Sequence, residues 1–511
     1  MLSRQPSFDF LNHHHSLTFH LAWATIVASI GTFQFGYHLS ELNAASSIIS
    51  CKFHRPGPHK SYDQTIWYQF GLEQCIPMTE QQSTMMTTMF TFGGLISSII
   101  ISSSFFHCLG RKTTCIMSSL FFMLGSFFMM ISNNTSFMNA GRLLCGLGAG
   151  ISVVISPILI NELTPINHRG FLGSFLQVSL SVGIFTSQLI SIPNANDQNW
   201  RYIFLTSFLI SLVQFVLLFT IVESPKWLVI NKNDTNNATD ILTSLRSNVQ
   251  TVPHEINHWR RLSITKSEVS ESTPLIEDLS VDFHSLQPVK SRRGSIDPSN
   301  LTLYEFVTER KYRKELLAVI LIMSGNQLCG MNSITFYGVS FLSNIVPDTT
   351  NILYLTSLLG LFNVLGAGLA TPLFDRLGRK KLLLLSCLIM SITSFGISMG
   401  LVTNFEILVA VSCLLFILGY CIGLGPIVYL MVPEFTNHNV VAIAQSFGTT
   451  LNWISNMCIA YWFPVIHDTL GGYVFFVFTF INLAYLFLII LFVPETKLKT
   501  YDEVWNHFTY I

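Results

Sequence analysis

Apolar stretches long enough to cross a lipid bilayer recur along the whole chain of 511 residues. An α-helix rises about 1.5 Å per residue, so about 20 apolar residues span the roughly 30 Å of hydrocarbon. Only 11% of the residues are charged, whereas soluble chains are about one-quarter charged. The sequence therefore predicts an all-α polytopic membrane protein. Its predicted spans are 21–42, 86–106, 114–132, 138–160, 171–192, 202–222, 315–338, 351–373, 382–402, 407–431, 441–463 and 472–493.

A polar interval separates the first six spans from the last six. Its two ends are rich in lysine and arginine, and basic residues beside membrane segments stay in the cytosol. The short basic turns at 110–112 and 378–380 agree, so the interval and both termini are predicted to be cytosolic. The predicted domains are an N-terminal tail at 1–20, a six-helix bundle at 21–222, a linker of short helices at 223–314 with a disordered insertion at about 262–300, a second six-helix bundle at 315–493 and a C-terminal tail at 494–511.

The two groups of spans carry the same landmarks. The motif LGRK at 109–112 returns 268 residues later, and Glu162 and Glu434 lie 272 residues apart in similar surroundings. Glu223 and Glu495, each within two residues of a proline, repeat that offset of 272 residues. The sequence therefore predicts two six-helix halves in parallel repeat, an architecture of transporters that bind substrate between the halves near the middle of the bilayer.

The ten cysteines fall into two groups. Cys51 and Cys75 bracket a polar loop that the predicted topology places outside the cytosol, where disulfides form. A disulfide between them is predicted, with two unlinked thiols as the alternative. The other cysteines lie in or beside apolar segments and are predicted to be core residues: Cys108, Cys115, Cys145, Cys329, Cys387, Cys413, Cys421 and Cys458.

Amide side chains inside the apolar spans indicate a substrate site. Amides both donate and accept hydrogen bonds, and an aromatic ring packs against C–H groups, so together they suit a polar substrate rich in hydroxyls. Amides in apolar helices are costly unless they face a cavity, and interhelical hydrogen bonds are the alternative role. The candidate side chains are Gln177, Asn326, Gln327, Asn332, Asn363, Asn452, Trp453 and Asn456.

Ten short motifs, in order, resemble one transporter family. They are FQFGY, GRLLCGLGAG, NELTPINHRG, FLQVSLSVG, ESPKWL, NQLCGMNSITFY, DRLGRK, GLGPIVYLMVPEF, LNWISN and PETK. Over about 20–505 the chain resembles the sugar-porter (glucose-facilitator) family of the major facilitator superfamily, with a likeness to fungal hexose transporters. The resemblance implies the twelve-helix major facilitator fold with a cytosolic helical linker. It also implies that the amides and Trp453 line the sugar site, with Asn326 where the family usually has a longer glutamine.

Helix breakers accompany these amides. Glycine and proline allow helices to bend where they line a cavity, and the resemblance implies that the two segments carrying them gate the external and internal paths. Cys421 replaces an acidic residue common in the family, and Tyr429, a predicted sugar-binding residue, replaces its usual tryptophan. The breakers are Gly330, Gly423, Gly425 and Pro426, and the residues assigned to gating or coupling are His38, Arg142, Phe336, Tyr337, Gly425 and Pro426.

The resemblance also implies an ion-pair network on the cytosolic face that favours the outward-open state. Isolated surface pairs are worth little, so anchoring of the helix ends is the alternative role. The network is incomplete, because His107 and Cys108 stand where the second repeat has an Asp-Arg pair, and no basic residue follows Glu434 closely. We therefore expect a weak or otherwise compensated latch. Its members are Glu162 paired with Arg169, Glu223, Asp375 with Arg376 and Arg379, Glu434 and Glu495.

The linker carries short regulatory motifs. RRLS ending at Ser263 and RRGS ending at Ser295 resemble sites for basophilic kinases. The segment Glu271–Ile276, ESTPLI, fits an acidic dileucine signal for a sorting adaptor, with a plain solvated loop as the alternative. These motifs favour a vacuolar or endosomal membrane slightly over the plasma membrane.

The first span contains FQFGYHLSELN, in which His38 and Glu41 share one helix face. Glu41 is expected at the external interface, where a carboxylate costs little. By the resemblance His38 holds a coupling position opposite Arg142, where proton-coupled members have aspartate and facilitators have asparagine. A histidine that is neutral near pH 7 could take a proton in an acidic lumen. The hypothesis is a facilitator with pH-sensitive transport.

The favoured function is transport of a monosaccharide, a hexose above all, by facilitated diffusion with alternating access. The alternatives are proton-coupled symport through His38 and a sugar sensor that does not transport. The sequence contains no nucleophile–base pair, no metal-ligand cluster and no basic patch interleaved with aromatic residues. No enzyme activity, cofactor, metal or nucleic-acid partner is therefore predicted, and a monomer in the bilayer is expected.

Overall fold

The computed structural model describes residues 17–58, 61–102, 109–165, 168–271, 303–343, 346, 348–437, 440–497, 499 and 501–506. All regular secondary structure in these ranges is helical. Several sequence predictions fall outside what is described: His107, Cys108, Ser295, the side chains of Ser263 and Asp375, and the segment Glu271–Ile276 after its first residue.

The first half of the chain forms six long helices. They are α1 (Phe19–Ile49), α2 (Glu80–Ser102), α3 (Arg111–Met130), α4 (Thr135–Leu163), α5 (Arg169–Asn194) and α6 (Arg201–Leu218). Close packing of α1 on α5 depends on glycine: a Cβ atom at Gly36 would lie 2.0 Å from the carbonyl oxygen of Leu180. The reciprocal contact is equally tight, since a Cβ at Gly183 would lie 2.0 Å from the carbonyl oxygen of Phe33. Such small-residue contacts are typical of packed membrane helices.

The second half repeats this plan with two broken segments. Its helices are α7 (Arg313–Leu328), α8 (Met331–Leu342), α9 (Thr349–Leu377), α10 (Arg379–Thr403), α11 (Glu406–Ile422), α12 (Ile427–Phe435), α13 (Val441–Leu470) and α14 (Val474–Phe492). The pairs α7–α8 and α11–α12 each form one crossing. Among the described residues the two halves thus make twelve crossings.

Ten described stretches are long and apolar enough to cross a membrane. One of them, Val441–Phe492, contains both α13 and α14, and α1 is not among them. Helix α1 carries the polar side chains of Gln34, His38 and Glu41, which lower its hydropathy. The prediction of an all-α polytopic membrane protein with twelve spans is confirmed.

The broken segments lie at the predicted glycine and proline positions. Gly330, between α7 and α8, has a φ of +97°, which favours glycine, and a Cβ there would lie 2.7 Å from the ring of Phe478. Between α11 and α12, Pro426 has no N–H to donate. The Leu424 N–H in that break donates to the Ser386 hydroxyl at 3.2 Å instead of to the backbone.

Both ends of the helical bundle are covered by polar segments. We call the face where α1 begins and α14 ends the terminal face, and the opposite face, which carries residues 50–58 and 61–79, the loop face. On the terminal face, linker helices Thr235–Leu245 and Val252–Glu271 dock through Arg246. Its guanidinium donates to the carbonyl of Leu163 at 2.7 Å and pairs with Glu255 at 2.9 Å. The linker is thereby tied to the first half.

The end of the chain docks on the second half. Within the short helix Tyr501–Asn506, the Trp505 indole donates to the carbonyl of Phe435 at 2.8 Å. The Tyr501 hydroxyl donates to the carboxylate of Glu315, which is buried at the start of α7. These contacts fasten the tail to the ends of both broken segments.

On the loop face, Cys51 and Cys75 form a disulfide with their Cα atoms 5.4 Å apart. Arg201 fixes this loop by donating to the carbonyl of Glu73 at 2.7 Å. Of the cysteines predicted to be core residues, those described are buried except Cys458, which is exposed on the outside of α13. The prediction for Cys458 was wrong, because the face of α13 that carries Cys458 points away from the other helices.

Candidate functional site

A cluster of amides lies where the α7–α8 break meets α13. The Gln327 Nε2 atom donates to Asn452 Oδ1 at 3.0 Å. The Asn332 Nδ2 atom donates to Gln327 Oε1 at 2.6 Å and to Asn456 Oδ1 at 2.8 Å. Four of the predicted side chains therefore form one connected group, and Asn326 is hydrogen-bonded to it through Gln327. We call these five side chains the amide cluster.

Asn326 joins this cluster to the α11–α12 break. Its Nδ2 atom donates to the carbonyls of Leu424 at 2.5 Å and Gly425 at 3.3 Å, and lies 3.2 Å from the Tyr420 hydroxyl oxygen. Its Oδ1 atom accepts from Asn452 Nδ2 at 2.8 Å. The cluster therefore spans α7, α13 and the second broken segment.

One aromatic side chain contacts the amide cluster, and a second follows Asn452 directly in α13. The Tyr429 hydroxyl, on α12, donates to Asn452 Oδ1 at 3.1 Å. Trp453 is only 2% exposed, and its ring centroid lies 5.7 Å from that of Phe35 on α1. Trp453 therefore reaches from the second half to the first, and an aromatic face lies beside hydrogen-bonding groups as carbohydrate recognition requires.

Further contacts join the halves beside a small cavity. Asn363 Oδ1, on α9, accepts from the Ser181 hydroxyl of α5 at 2.8 Å and from the Cys421 thiol at 3.5 Å. Asn43 Oδ1, on α1, accepts from the backbone N–H of Val339 on α8 at 2.9 Å. This small cavity lies between the halves. Its polar lining residues are Asn43, Gln188, Thr335, Thr356 and Asn363.

The remaining predicted site residues lie apart from the cluster. Gln177 is partly buried on α5, and no described hydrogen bond connects it to the amides. Phe336 is 3% exposed within α8. The Tyr337 hydroxyl donates to the carbonyl of Ala460 on α13 at 2.6 Å, and its ring stacks on Phe463. Tyr337 therefore packs α8 onto α13.

A second cluster, of buried charged groups, occupies the first half. Glu41 Oε1 lies 2.7 Å from Arg142 Nη1 and 2.9 Å from His38 Nδ1, and all three side chains are fully buried. The prediction that Glu41 lies at the external interface was therefore wrong. Helix α1 extends to Ile49, and neighbouring helices cover Glu41. We call these three residues the charge triad.

The triad is held by its surroundings but keeps two unpartnered atoms. Arg142 also donates to the carbonyls of Met86 and His38, each at 3.0 Å, and lies over the ring of Phe90 at 4.6 Å. Within the described residues, Glu41 Oε2 and Arg142 Nη2 have no hydrogen-bond partner. Ionisable groups buried within membrane helices are expensive and are a mark of function.

His38 connects the triad to a polar tract in α1 and α6. Its Nδ1 faces the carboxylate of Glu41, which only accepts, so this nitrogen carries the hydrogen and Nε2 is free to accept. Nε2 lies 3.0 Å from the Ser207 hydroxyl. Further along the tract, the Ser211 hydroxyl donates to Gln34 Oε1 at 2.7 Å. Both ring nitrogens of His38 therefore have a hydrogen-bond partner.

The terminal face carries a repeated ion pair. Arg111 pairs with Glu162 at 3.3 Å, and Arg379 pairs with Glu434 at 3.0 Å. Glu162 was expected to pair with Arg169, but the Arg169 guanidinium donates to the carbonyl of Thr164 instead. Each described pair here joins residues of one half. The sequence signal for Arg111 was its place in the repeated LGRK motif.

Other members of the predicted network act through the backbone. The Glu223 carboxylate accepts from the N–H of Lys112 at 3.0 Å, and the Glu495 carboxylate accepts from the N–H of Arg379 at 2.9 Å. The Arg376 carbonyl accepts from the Lys497 ammonium at 2.8 Å. The acidic side chains of the two repeats thus cap the first turns of α3 and α10.

Comparison with known proteins identifies the class. The family model "Sugar (and other) transporter" matches residues 24–508. A Saccharomyces cerevisiae protein named as probable metabolite transport protein YBR241C is 34% identical over 96% of this chain and 96% of its own. Yeast vacuolar protein sorting-associated protein 73 is 32% identical over 94% of this chain and 95% of its own. Human solute carrier family 2, facilitated glucose transporter member 5, is 30% identical over 96% of this chain and 93% of its own.

Solved structures show the same fold. The inward open conformation of the Escherichia coli xylose transporter XylE has a TM-score of 0.71 at 18% identity, covering 96% of this chain and 100% of its own. The proton:xylose symporter XylE bound to 6-bromo-6-deoxy-D-glucose has a TM-score of 0.68 at 17% identity, covering 96% and 99%. The fold is that of major facilitator transporters. The chain belongs to the sugar (and other) transporter family, as its sequence motifs predicted.

Proposed function

We propose that this protein moves a monosaccharide, most simply a hexose, across a membrane by alternating access. The observation that carries the proposal is the amide cluster. It sits at the break of one membrane segment, contacts the break of another, and has Trp453 beside it reaching the opposite half. Amides match sugar hydroxyls as both donors and acceptors, and a site shared by two halves changes shape when the halves rock.

Uptake by purified protein in liposomes tests this proposal. Labelled hexoses and pentoses are supplied singly, with and without an imposed pH gradient. We expect saturable uptake of at least one monosaccharide above protein-free liposomes. Binding of a sugar without any uptake would instead support the sugar sensor and contradict the transporter.

The favoured mode is facilitated diffusion, with proton symport as a second candidate that one observation supports. That observation is the burial of Glu41 against Arg142, a carboxylate and guanidinium pair in the membrane interior beside His38. Uptake that needs no gradient and carries no proton current supports facilitated diffusion. Sugar-driven acidification of the liposome lumen supports symport.

We expect His38→Asn to flatten the pH dependence of uptake between pH 5 and pH 7. The His38 ring lies 2.9 Å from the carboxylate of Glu41, which pairs with Arg142, so a change in the charge of the ring would act directly on this ion pair. Protonation would also turn Nε2 from an acceptor into a donor towards Ser207. Uptake rates at several pH values measure this, with His54→Asn on the exposed loop as control. An unchanged profile in His38→Asn contradicts the idea.

We further propose that the terminal face is cytosolic and that the protein resides in a vacuolar or endosomal membrane. The basic residues near the membrane ends of this face support the orientation. The dileucine-like segment Glu271–Ile276 supports a sorting adaptor as partner, and Ser263 and Ser295 remain candidate kinase sites. Fluorescence microscopy of the wild-type protein with a C-terminal fluorescent tag tests the location. Fluorescence at the plasma membrane would contradict residence in a vacuolar or endosomal membrane.

A further inference from the structure

Asn326 uses all its hydrogen-bonding capacity within the protein. A carbonyl oxygen only accepts, so the group of Asn326 that faces the carbonyls of Leu424 and Gly425 is its NH2 group. Its Oδ1 therefore faces the cluster, where it accepts from Gln327 Nε2 at 2.9 Å and Asn452 Nδ2 at 2.8 Å. Three acceptors, the carbonyls of Leu424 and Gly425 and the Tyr420 hydroxyl, share the two N–H hydrogens of Asn326, and two donors occupy its Oδ1. Asn452 is saturated in the same way, so what distinguishes Asn326 is that its donated bonds go to the backbone between α11 and α12.

The hydrogen-bond partners of Asn326 belong to two different parts of the protein. Its donors hold the backbone between α11 and α12, a break that contains Pro426 and therefore lacks one backbone donor. Its Oδ1 atom accepts hydrogen bonds from Gln327 and Asn452, the central members of the amide cluster. The side chain is only 2% exposed, so water cannot easily replace either set of bonds.

We propose that Asn326 is a positioning residue that couples the other four side chains of the amide cluster to the bend between α11 and α12, and not a sugar ligand. The inference rests on the proposed function, because it takes the amide cluster as the sugar site. Sugar hydroxyls that compete for the NH2 groups of Gln327 and Asn452 withdraw them from Asn326 Oδ1. The hydrogen bonds from Asn326 to the carbonyls of Leu424 and Gly425 then change when a sugar is bound. Sugar binding is thereby linked to movement of α12.

The substitution Asn326→Asp tests this directly. It keeps the shape of the side chain but places an oxygen against the carbonyls of Leu424 and Gly425, where the NH2 group donated. We expect the maximum uptake rate in liposomes to fall about tenfold or more, since a lost buried hydrogen bond is worth about one such factor. We expect the equilibrium dissociation constant for the transported sugar to stay within about threefold of wild type.

A matched variant separates the two roles. Asn332→Asp alters an amide of the cluster that has no described contact with the break between α11 and α12. We expect this variant to raise the dissociation constant for the sugar. If Asn326→Asp raises the dissociation constant as Asn332→Asp does, with the maximum rate unchanged, Asn326 is a ligand and the inference is overturned. If wild type neither binds nor transports any sugar, the proposed function has failed instead.

Tyr420→Phe provides a milder test should Asn326→Asp fail to fold. It removes one acceptor of the Asn326 amide, 3.2 Å away, and leaves the amide cluster intact. We expect a lower maximum rate, by about two- to fivefold, with an unchanged dissociation constant. A changed dissociation constant at an unchanged rate would overturn the coupling role.

Discussion

Replacing Glu41 by alanine is expected to lower the free energy of unfolding by about 3–5 kcal/mol, the cost of removing one partner of a buried ion pair. The substitution leaves the guanidinium of Arg142 without its carboxylate at 2.7 Å, in a site with no exposure to water. It also removes the acceptor for His38 Nδ1. Thermal unfolding of the detergent-solubilised protein, followed by size-exclusion chromatography, measures the loss.

The repeated pair on the terminal face provides the control. Glu434 and Arg379 form a comparable contact at 3.0 Å, but their side chains are 31% and 17% exposed. We expect Glu434→Ala to cost about 1 kcal/mol or less, because water solvates the remaining charge. The double variant Glu41→Leu with Arg142→Met should recover much of the stability, since it leaves no unpaired charge. Equal losses for Glu41→Ala and Glu434→Ala would show that the triad is not the buried pair described.

Asn452→Asp is expected to reduce sugar uptake by about 10- to 100-fold, because it disrupts the centre of the amide cluster. Its NH2 group donates to the carbonyl of Met323 at 3.0 Å and to Asn326 Oδ1 at 2.8 Å. An oxygen in that place repels both acceptors. Each unpaired buried group costs about 1–3 kcal/mol, and about 1.4 kcal/mol corresponds to one factor of ten. Uptake in liposomes, normalised to folded protein, measures the effect.

Asn482→Asp is the matched control for this prediction. Asn482 is also fully buried in the second half, and its NH2 group donates to the carbonyls of Cys329 at 3.0 Å and Phe478 at 2.8 Å. The same substitution there should lower stability to a similar degree while the folded fraction still binds sugar with wild-type affinity. Equal losses of sugar affinity in the two variants would mean that the amide cluster has no special role in binding.

The fold was largely predictable because membrane insertion depends on local composition. Each predicted span overlaps one helix or one broken pair, and the breaks fall at glycine and proline residues that the sequence marks plainly. The duplication was visible as repeated motifs. In the structure the two halves contain equivalent ion pairs, Arg111–Glu162 and Arg379–Glu434. Several of the candidate amides also lie together as the pattern suggested.

The partners of individual side chains were not predictable to the same degree. The distance of Glu41 along α1 suggested the membrane interface, yet Arg142 and the helices around it enclose the carboxylate. Glu162 has Arg169 nearby in sequence, yet it pairs with Arg111 on another helix. Sequence spacing describes one helix, whereas burial and pairing depend on what neighbouring helices bring to it.

The sequence by itself determined the class of protein, the positions of its membrane segments, its two-fold repeat and the types of polar residue placed inside the bilayer. Hydropathy, glycine and proline act within a single segment, so these features need no knowledge of the packing. Only the tertiary structure decided that Glu41 is buried in a triad and that Asn326 is saturated by the α11–α12 break. Those outcomes depend on groups about 100 residues away in the chain, which only helix packing brings within hydrogen-bond distance.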